Sequence, residues 1–192
     1  MYNIIVIHIM QVNNIMETIN DLQNQYYNIH SKNSFFKKSQ KYECADLVTN
    51  KIGIDSILEK CIYIFDNNKI FIDYLIFKTF ANPNNYHDIS VFLARTINDC
   101  IHKSKQFEVH INLKALSISA IDRYRTIITA FAEHGQNNHY DKYLTKLELY
   151  NTPGFITTTS NILSSFISPK VRNIVNFHTK SDSECILQSR FS

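Results

Sequence analysis

Apolar residues along this chain change their spacing several times, and each change marks an element. Between Met16 and His30 the apolar positions Ile19, Leu22, Tyr26 and Ile29 recur at steps of three and four, which predicts an amphipathic helix. The run from Met1 to Met10 ahead of it is largely apolar. It lacks a basic lead-in and a small-residue cleavage site, and ten residues cannot span a bilayer, so it reads as a strand, a buried arm or an upstream extension before a start at Met10 or Met16. From Ser31 to Lys41 the periodicity is lost and the chain turns polar and basic, as a linker does. Cys44 to Lys60 carries Leu47, Val48, Ile54, Ile57 and Leu58 in a helical pattern broken at Gly53, which predicts one kinked helix or two short ones.

A different period follows. Cys61 to Phe65 and Lys69 to Phe77 are β-rich runs around Asp66, Asn67 and Asn68, residues that adopt left-handed turn conformations at low cost, so a β-hairpin is predicted. In the second run Ile70, Ile72, Tyr74 and Ile76 alternate with Phe71, Asp73, Leu75 and Phe77. Both sets are mostly apolar, as in a central strand covered on both faces. Ile89, Leu93, Ile97 and Ile101 then keep a four-residue interval, predicting a helix over Asp88 to Ser104. Phe107 to Leu116 is strand-like, with Phe107, Val109, Ile111 and Leu113 on one face. A helix opening near Ser119 and Asp122, with a stripe of Tyr124, Ile127, Ile128 and Phe131, should stop at Gly135. Leu144 to Tyr150 reads as a strand, Asn151 to Gly154 as a turn and Ile156 to Ile167 as a Ser/Thr-rich helix. Pro169 begins a short helical turn, and Ile174 to His178 is a last strand. The order hairpin, helix, strand, helix, strand, helix, strand implies an α/β fold with a mixed, mainly parallel sheet covered by helices and a short N-terminal helical segment.

Composition narrows the chemistry. A net charge of +3 is too small for a nucleic-acid footprint, and the densest basic stretch, Lys32, Lys37, Lys38 and Lys41, falls in the expected linker. Cys44, Cys61, Cys100 and Cys185 are too far apart in sequence for a Cys-x-x-Cys site and read as reduced thiols of a cytoplasmic protein. With three glycines, Gly53, Gly135 and Gly154, the chain has no glycine cluster for a Walker A or dinucleotide loop, and it has no Gly-x-Ser-x-Gly elbow. His134 and His139 with Asp141 form the one His/Asp cluster, without a supporting cysteine, so no metal is expected. Asp73, Glu108, Asp122 and Glu148 lie apart in the expected topology and read as capping or solvent-facing carboxylates, and His110 as a surface residue. Neither a catalytic residue nor a cofactor is predicted.

Tyr143-Leu144-Thr145-Lys146-Leu147-Glu148-Leu149-Tyr150-Asn151-Thr152-Pro153-Gly154-Phe155 resembles the strand and Asn-x-Pro turn of the CRAL-TRIO lipid-binding domains. Phe166-Ile167-Ser168-Pro169-Lys170-Val171-Arg172-Asn173-Ile174 resembles the helix, Pro-initiated turn and final strand of the same family. Ile62 to Phe77 and Ile111-Asn112-Leu113-Lys114-Ala115-Leu116-Ser117 are similar to its opening hairpin and second core strand. The chain departs from the family in having Asn112 for an Asp, Ala115 for a Gly, and no Leu-Pro-x-x-x-Gly-Gly ending in Leu187 to Ser192.

The resemblance implies an N-terminal arm and helical segment over 1–60, a CRAL-TRIO-like domain over 61–180 and a tail over 181–192. It also implies a cavity between the sheet and a mobile helix, holding a lipid or other hydrophobic small molecule. Ile72, Tyr74, Ile76, Val109, Ile111 and Leu113 are candidates for its wall, with ordinary core packing as the alternative. Leu147, Leu149, Phe155, Ile162 and Phe166 complete the candidate set. In this picture Phe155 lies near a hinge, and Phe166 is on the inner side of a gate whose Ser160 and Ser164 face solvent. Transient contact with a membrane surface goes with ligand transfer. A protein-interaction scaffold with a collapsed pocket, binding small GTPases or their regulators, is the alternative function.

Overall fold

The computed structural model describes residues 2–30, 37–158 and 168–191. Its centre is a five-stranded sheet, β1 (Ile62–Phe65), β2 (Lys69–Asp73), β3 (Phe107–Asn112), β4 (Leu144–Tyr150) and β5 (Val175–Phe177), arranged in sequence order. β1 is antiparallel to β2, and every later pairing is parallel. The helices are α1 (Tyr2–Ile29), α2 (Lys37–Ile52), α3 (Ile54–Cys61), α4 (Tyr74–Phe80), α5 (Tyr86–Ser104), α6 (Ile118–Asn137), α7 (Gly154–Thr158), α8 (Pro169–Arg172) and α9 (Lys180–Phe191), with a 3₁₀ turn at Tyr140–Lys142. The mixed, mainly parallel α/β sheet expected from the periodicities is present.

Several boundaries differ from the sequence expectation, each for a local reason. Residues 2–10 do not form a strand; with 11–15 they continue the helix of 16–29 backwards. No Gly or Pro interrupts this stretch, and extending a helix costs far less than nucleating one. Lys37 to Lys41, expected in the linker, open α2. The break at Gly53 is as expected: its φ of +91° is one that a side chain rarely tolerates, and it separates α2 from α3. α6 runs past Gly135 to Asn137, where the Asn138 side chain and backbone N–H both donate to the His134 carbonyl. A single helical glycine is a modest cost, not a stop. The cap of α6 is Ser117, two residues earlier than expected, and its hydroxyl lies 3.1 Å from that of Ser119. The segment 181–192, expected as a tail, is helical over its described residues, as part of α9 (Lys180–Phe191).

Both long strands end earlier than their alternation suggests, because polar side chains at their ends turn the chain. Asp73 accepts a hydrogen bond from the Leu75 N–H at 2.7 Å and caps α4, so Tyr74 and Ile76 are helical and not part of the strand. On β3 the paired residue Asn112 accepts from the Lys114 N–H at 3.1 Å, and the chain then passes through Ala115 at a φ of +63°. Asn112 also donates to Asp73 (3.5 Å) and accepts from the Asn151 side chain (2.9 Å). Asn151 itself has a φ of +52°, and its N–H donates to the Ser183 hydroxyl at 2.7 Å. Thus Asp73, Asn112, Asn151 and Ser183 form one polar chain across the C-terminal ends of β2, β3 and β4. An Asp at 112 would place a second carboxylate against Asp73, whereas Asn supplies a donor.

The hydrophobic core lies on one face of the sheet. Ile62, Ile70 and Phe107 pack with Ile89, Leu93, Ile97 and Cys100 of α5, Ile57 and Leu58 of α3, and Phe80 of α4. Ile19 of α1 and Val48 of α2 are wholly buried in the same cluster, so the N-terminal helices share this core.

Two substitutions test the strand ends by chemical denaturation. Asp73→Ala should cost about 1 kcal/mol through loss of the cap, and Asp73→Asn, which keeps an acceptor, should cost less. Ala115→Gly should raise stability by about 1 kcal/mol, the left-handed penalty of a β-carbon less the greater unfolded-state entropy of glycine. A loss of stability in Ala115→Gly would show that the turn is not strained there.

Candidate functional site

Strand alternation and register place the candidate residues in rows. Ile62, Ile72, Ile111, Leu149 and Phe177 form one row across the sheet, and Ile64, Ile70, Val109, Leu147 and Val175 the next, all on the face that carries the core. The core covers this face unevenly. Ile62 and Ile70 are fully buried, whereas Ile72, Val109, Ile111, Leu147 and Val175 are only half-buried and Phe177 is exposed. β3 is the middle strand of the sheet, yet its apolar Val109 and Ile111 are less buried than its polar His110 and Asn112. Among the described residues, helices cover the β1–β2 side well and leave part of an apolar surface open from β3 to β5.

Of the candidates, Ile72, Val109, Ile111, Leu147 and Leu149 come together in these two rows, Leu149 being the most buried of them. Ile72 and Val109 lie at the margin of the hydrophobic core, which does not include Ile111, Leu113, Leu147, Leu149 or Phe155. Leu113 follows β3 and donates its N–H to the Tyr150 carbonyl, while Phe155 is half-buried in α7. Tyr74 and Ile76 are not part of the rows. They are buried in α4, where Tyr74 meets Tyr124 edge to face. Ile162 and Phe166, with Ser160 and Ser164, lie outside the described residues.

The opposite face holds an arrangement the sequence expectation missed. His110 is buried, not superficial: its Nδ1 lies 2.9 Å from the Tyr150 hydroxyl and its Nε2 3.2 Å from a Glu108 carboxylate oxygen. Glu148, expected to cap or face solvent, is also buried. It binds His178 Nε2 through one oxygen, and through the other accepts from Asn176 at 3.3 Å and meets Lys146 Nζ at 3.6 Å. The rings of His110 and His178 stack on either side of Tyr150, with centroids 5.9 and 5.0 Å away. The signal was present as polar residues at every second position of three strands. It reads as a solvated face unless the topology shows that parallel strands are covered on both faces.

Burial pushes the Glu148 carboxyl up, but the His178 hydrogen bond and charge, the Lys146 charge and the Asn176 bond outweigh it and hold the pKa below the ordinary value. Burial also raises the pKa of Asp73, against the bonds from Leu75, Asn112 and Ile76 and the charge of Lys114. Both networks pair buried polar groups with one another, as buried polar groups require. Among the described residues no group of three or more His, Cys, Asp or Glu is placed to hold a metal ion. An open groove of about 570 Å³ runs elsewhere, along α5, lined by His87, Ser90, Val91, Ala94, Arg95, Asn98, Asp99, His102 and His134. None of the described candidate residues borders it.

Because the Glu148 pKa is lower in the folded than in the unfolded chain, its contribution to stability is fully present above the ordinary glutamate value of 4.5 and disappears as the pH falls through the folded value. Glu148→Gln should therefore lower the unfolding free energy at neutral pH by about 2 kcal/mol and flatten the fall in stability on acidification. Parallel acid limbs in parent and variant, followed by circular dichroism, would assign that fall to other groups.

A family model for the CRAL/TRIO domain matches residues 59–192. Among solved structures, the chain is similar to one titled "Crystal structure of Sfh5", with 10% sequence identity and a TM-score of 0.46, covering 85% of this chain and 65% of that one. No curated protein matches the chain. The family match takes in all five strands and well over half of the sequence, and on that ground the chain belongs to the CRAL/TRIO domain family.

Proposed function

We propose that this chain binds a lipid or another small hydrophobic ligand, without transforming it, and carries it between membranes of the cytoplasm. The observation that carries the proposal is the half-buried apolar surface on the middle of the sheet, centred on Val109, Ile111 and Leu147. A strand flanked by two others on each side is where a domain of this size normally buries apolar side chains most completely. Leaving them half-covered forgoes roughly 25 cal/mol for each Å² of apolar surface, which a bound hydrophobic molecule would recover.

In this proposal Ile72, Val109, Ile111, Leu113, Leu147 and Leu149 form the floor, and Phe155 stands at the turn into the β4-to-β5 crossover. Ile162 and Phe166, outside the described residues, complete the proposed set of ligand contacts. Tyr74 and Ile76 act as core behind the floor. Residues 61–180 form the ligand-binding unit, and 1–60 brace it through Ile19 and Val48. The family, whose members bind lipids and similar molecules, supports the choice of ligand class. Cytoplasmic residence is supported by free thiols at Cys44, Cys61, Cys100 and Cys185. No described helix is long and apolar enough to cross a membrane.

Leu147→Trp and Ile111→Trp test the floor. If it is a ligand surface, native mass spectrometry should find copurifying lipid on the parent and much less on either variant, with melting temperatures close to the parent's. If the surface is filled core, overpacking should cost about 1–3 kcal/mol and the parent should carry no lipid. That second outcome would overturn the proposal in favour of a scaffold with a collapsed pocket.

A further inference from the structure

The fold brings Lys78 and Arg123 to the basic stretch of Lys37, Lys38 and Lys41, from which they are distant in sequence. Lys37, Lys38 and Lys41 are exposed on the first turns of α2. Lys78 lies in the last turn of α4, and Arg123 in the second turn of α6. Two hydrogen bonds tie these elements together: Tyr42 of α2 donates to the Arg123 carbonyl at 3.2 Å, and Tyr124 of α6 donates to the Lys78 carbonyl at 3.3 Å. The cations lie against the same tyrosines, Lys38 Nζ 5.9 Å from the Tyr42 ring centre and the Arg123 guanidinium 5.5 Å from that of Tyr124. None of the five cations takes part in a salt bridge among the described residues. Glu43, on the same helix, is engaged by Tyr26 and Ser39, and the acid acting on Lys78 is the strand-end residue Asp73. Lys41 carries the imprint of this crowding: partial burial lowers its pKa, and the charges of Arg123, Lys37 and Lys78 lower it further.

Like charges held together without counter-charges destabilise a fold unless an external anion offsets them. We infer that Lys37, Lys38, Lys41, Lys78 and Arg123 form a docking surface for a membrane bearing anionic phospholipids. Tyr42, only half-buried beside Lys38, suits the level of the lipid headgroups, where amphipathic rings concentrate, while Tyr124 is buried and holds Lys78 and Arg123 in place from the core. The patch also stands at the C-terminal end of the sheet, where α4 and α6 leave β2 and β3. Leu113 and Phe155, at one end of the proposed ligand floor, are at the same end. Docking there would present the apolar surface to the bilayer. The choice of a membrane over a nucleic acid rests on the lipid-binding function proposed above, whereas the existence of the patch does not.

The test is sedimentation of the full chain with phosphatidylcholine vesicles, with and without phosphatidylserine, at low and physiological salt. The parent should bind the anionic vesicles alone, and less at higher salt. Each cation near such a surface contributes roughly fivefold, so Lys41→Gln with Arg123→Gln should weaken binding roughly twenty-five-fold at a melting temperature no lower than the parent's. Lys37→Gln with Lys38→Gln, both fully outside the core, gives an independent measure. Lys103→Gln with Lys142→Gln removes the same charge from the opposite end of the sheet and should bind like the parent. Failure of the parent to bind anionic vesicles, or equal weakening in all three pairs, overturns the docking surface. So does retention on single-stranded RNA, but not on vesicles, through the same residues. Native mass spectrometry on the Lys41→Gln, Arg123→Gln protein separates the two proposals: lost docking with lipid still loaded concerns the patch, and absent lipid with docking intact concerns the apolar floor.

Discussion

The chain reverses at the C-terminal ends of its parallel strands, and everything else is placed by how it does so. A parallel strand cannot return by a tight hairpin, so its end must hand the chain to a crossover without leaving backbone donors unpaired. Here short polar side chains do this at one level of the sheet. Asp73 caps α4, Asn112 closes the turn before α6, and Asn151 joins Asn112 to Ser183 at the start of α9. These bonds also explain why the hydrophobic alternation outruns the strands: Tyr74 and Ile76 would continue β2, but the Asp73 cap makes the helical path better satisfied. Their side chains still reach the core, from a helix.

The two faces of the sheet have different physical characters. One is apolar and is covered by α5 and its neighbours mainly over β1 and β2, which leaves Val109, Ile111 and Leu147 only half-buried. The other is polar over β3 to β5, where His110, Asn112, Glu148 and Tyr150 are buried and the rings of His110, Tyr150 and His178 stack between Glu108 and Glu148. Buried polar groups that are mutually satisfied demand particular partners and resist slippage, since a shift of one residue would leave several of them unpaired. A sheet held in register by its polar face can leave part of its apolar face uncovered without losing its order. That division suits a domain that takes up and releases a hydrophobic molecule.

A ligand of that kind has to cross between bilayer and protein, and the positions of the charged residues are compatible with such an exchange. The cations of α2, α4 and α6 and the outer end of the apolar floor share one end of the sheet. Cationic attraction to a bilayer acts over several ångströms and is weakened by salt, so it orients a protein without trapping it. The apolar contact is short-ranged and begins only once the protein is oriented.

Much of this could be read from the sequence, because periodicity is a local property. β4 occupies Leu144–Tyr150 as its alternation predicts, the left-handed turn at Asp66 and Asn67 forms where short polar residues permit it, and the Gly53 break separates two helices. The family resemblance also rested on local runs around β4 and α8. What the sequence by itself could not determine was which polar positions would be buried and which apolar ones left open. His110 and Ile111 are adjacent on one strand, and alternation assigns them to opposite faces without saying how each face is covered. Coverage depends on helices from distant parts of the chain: α5 and α3 over one side of the sheet, and α2, α4 and α6 around the lysines that had looked like a linker. Charge and burial depend on distances between residues far apart in sequence, so only the tertiary structure decided them.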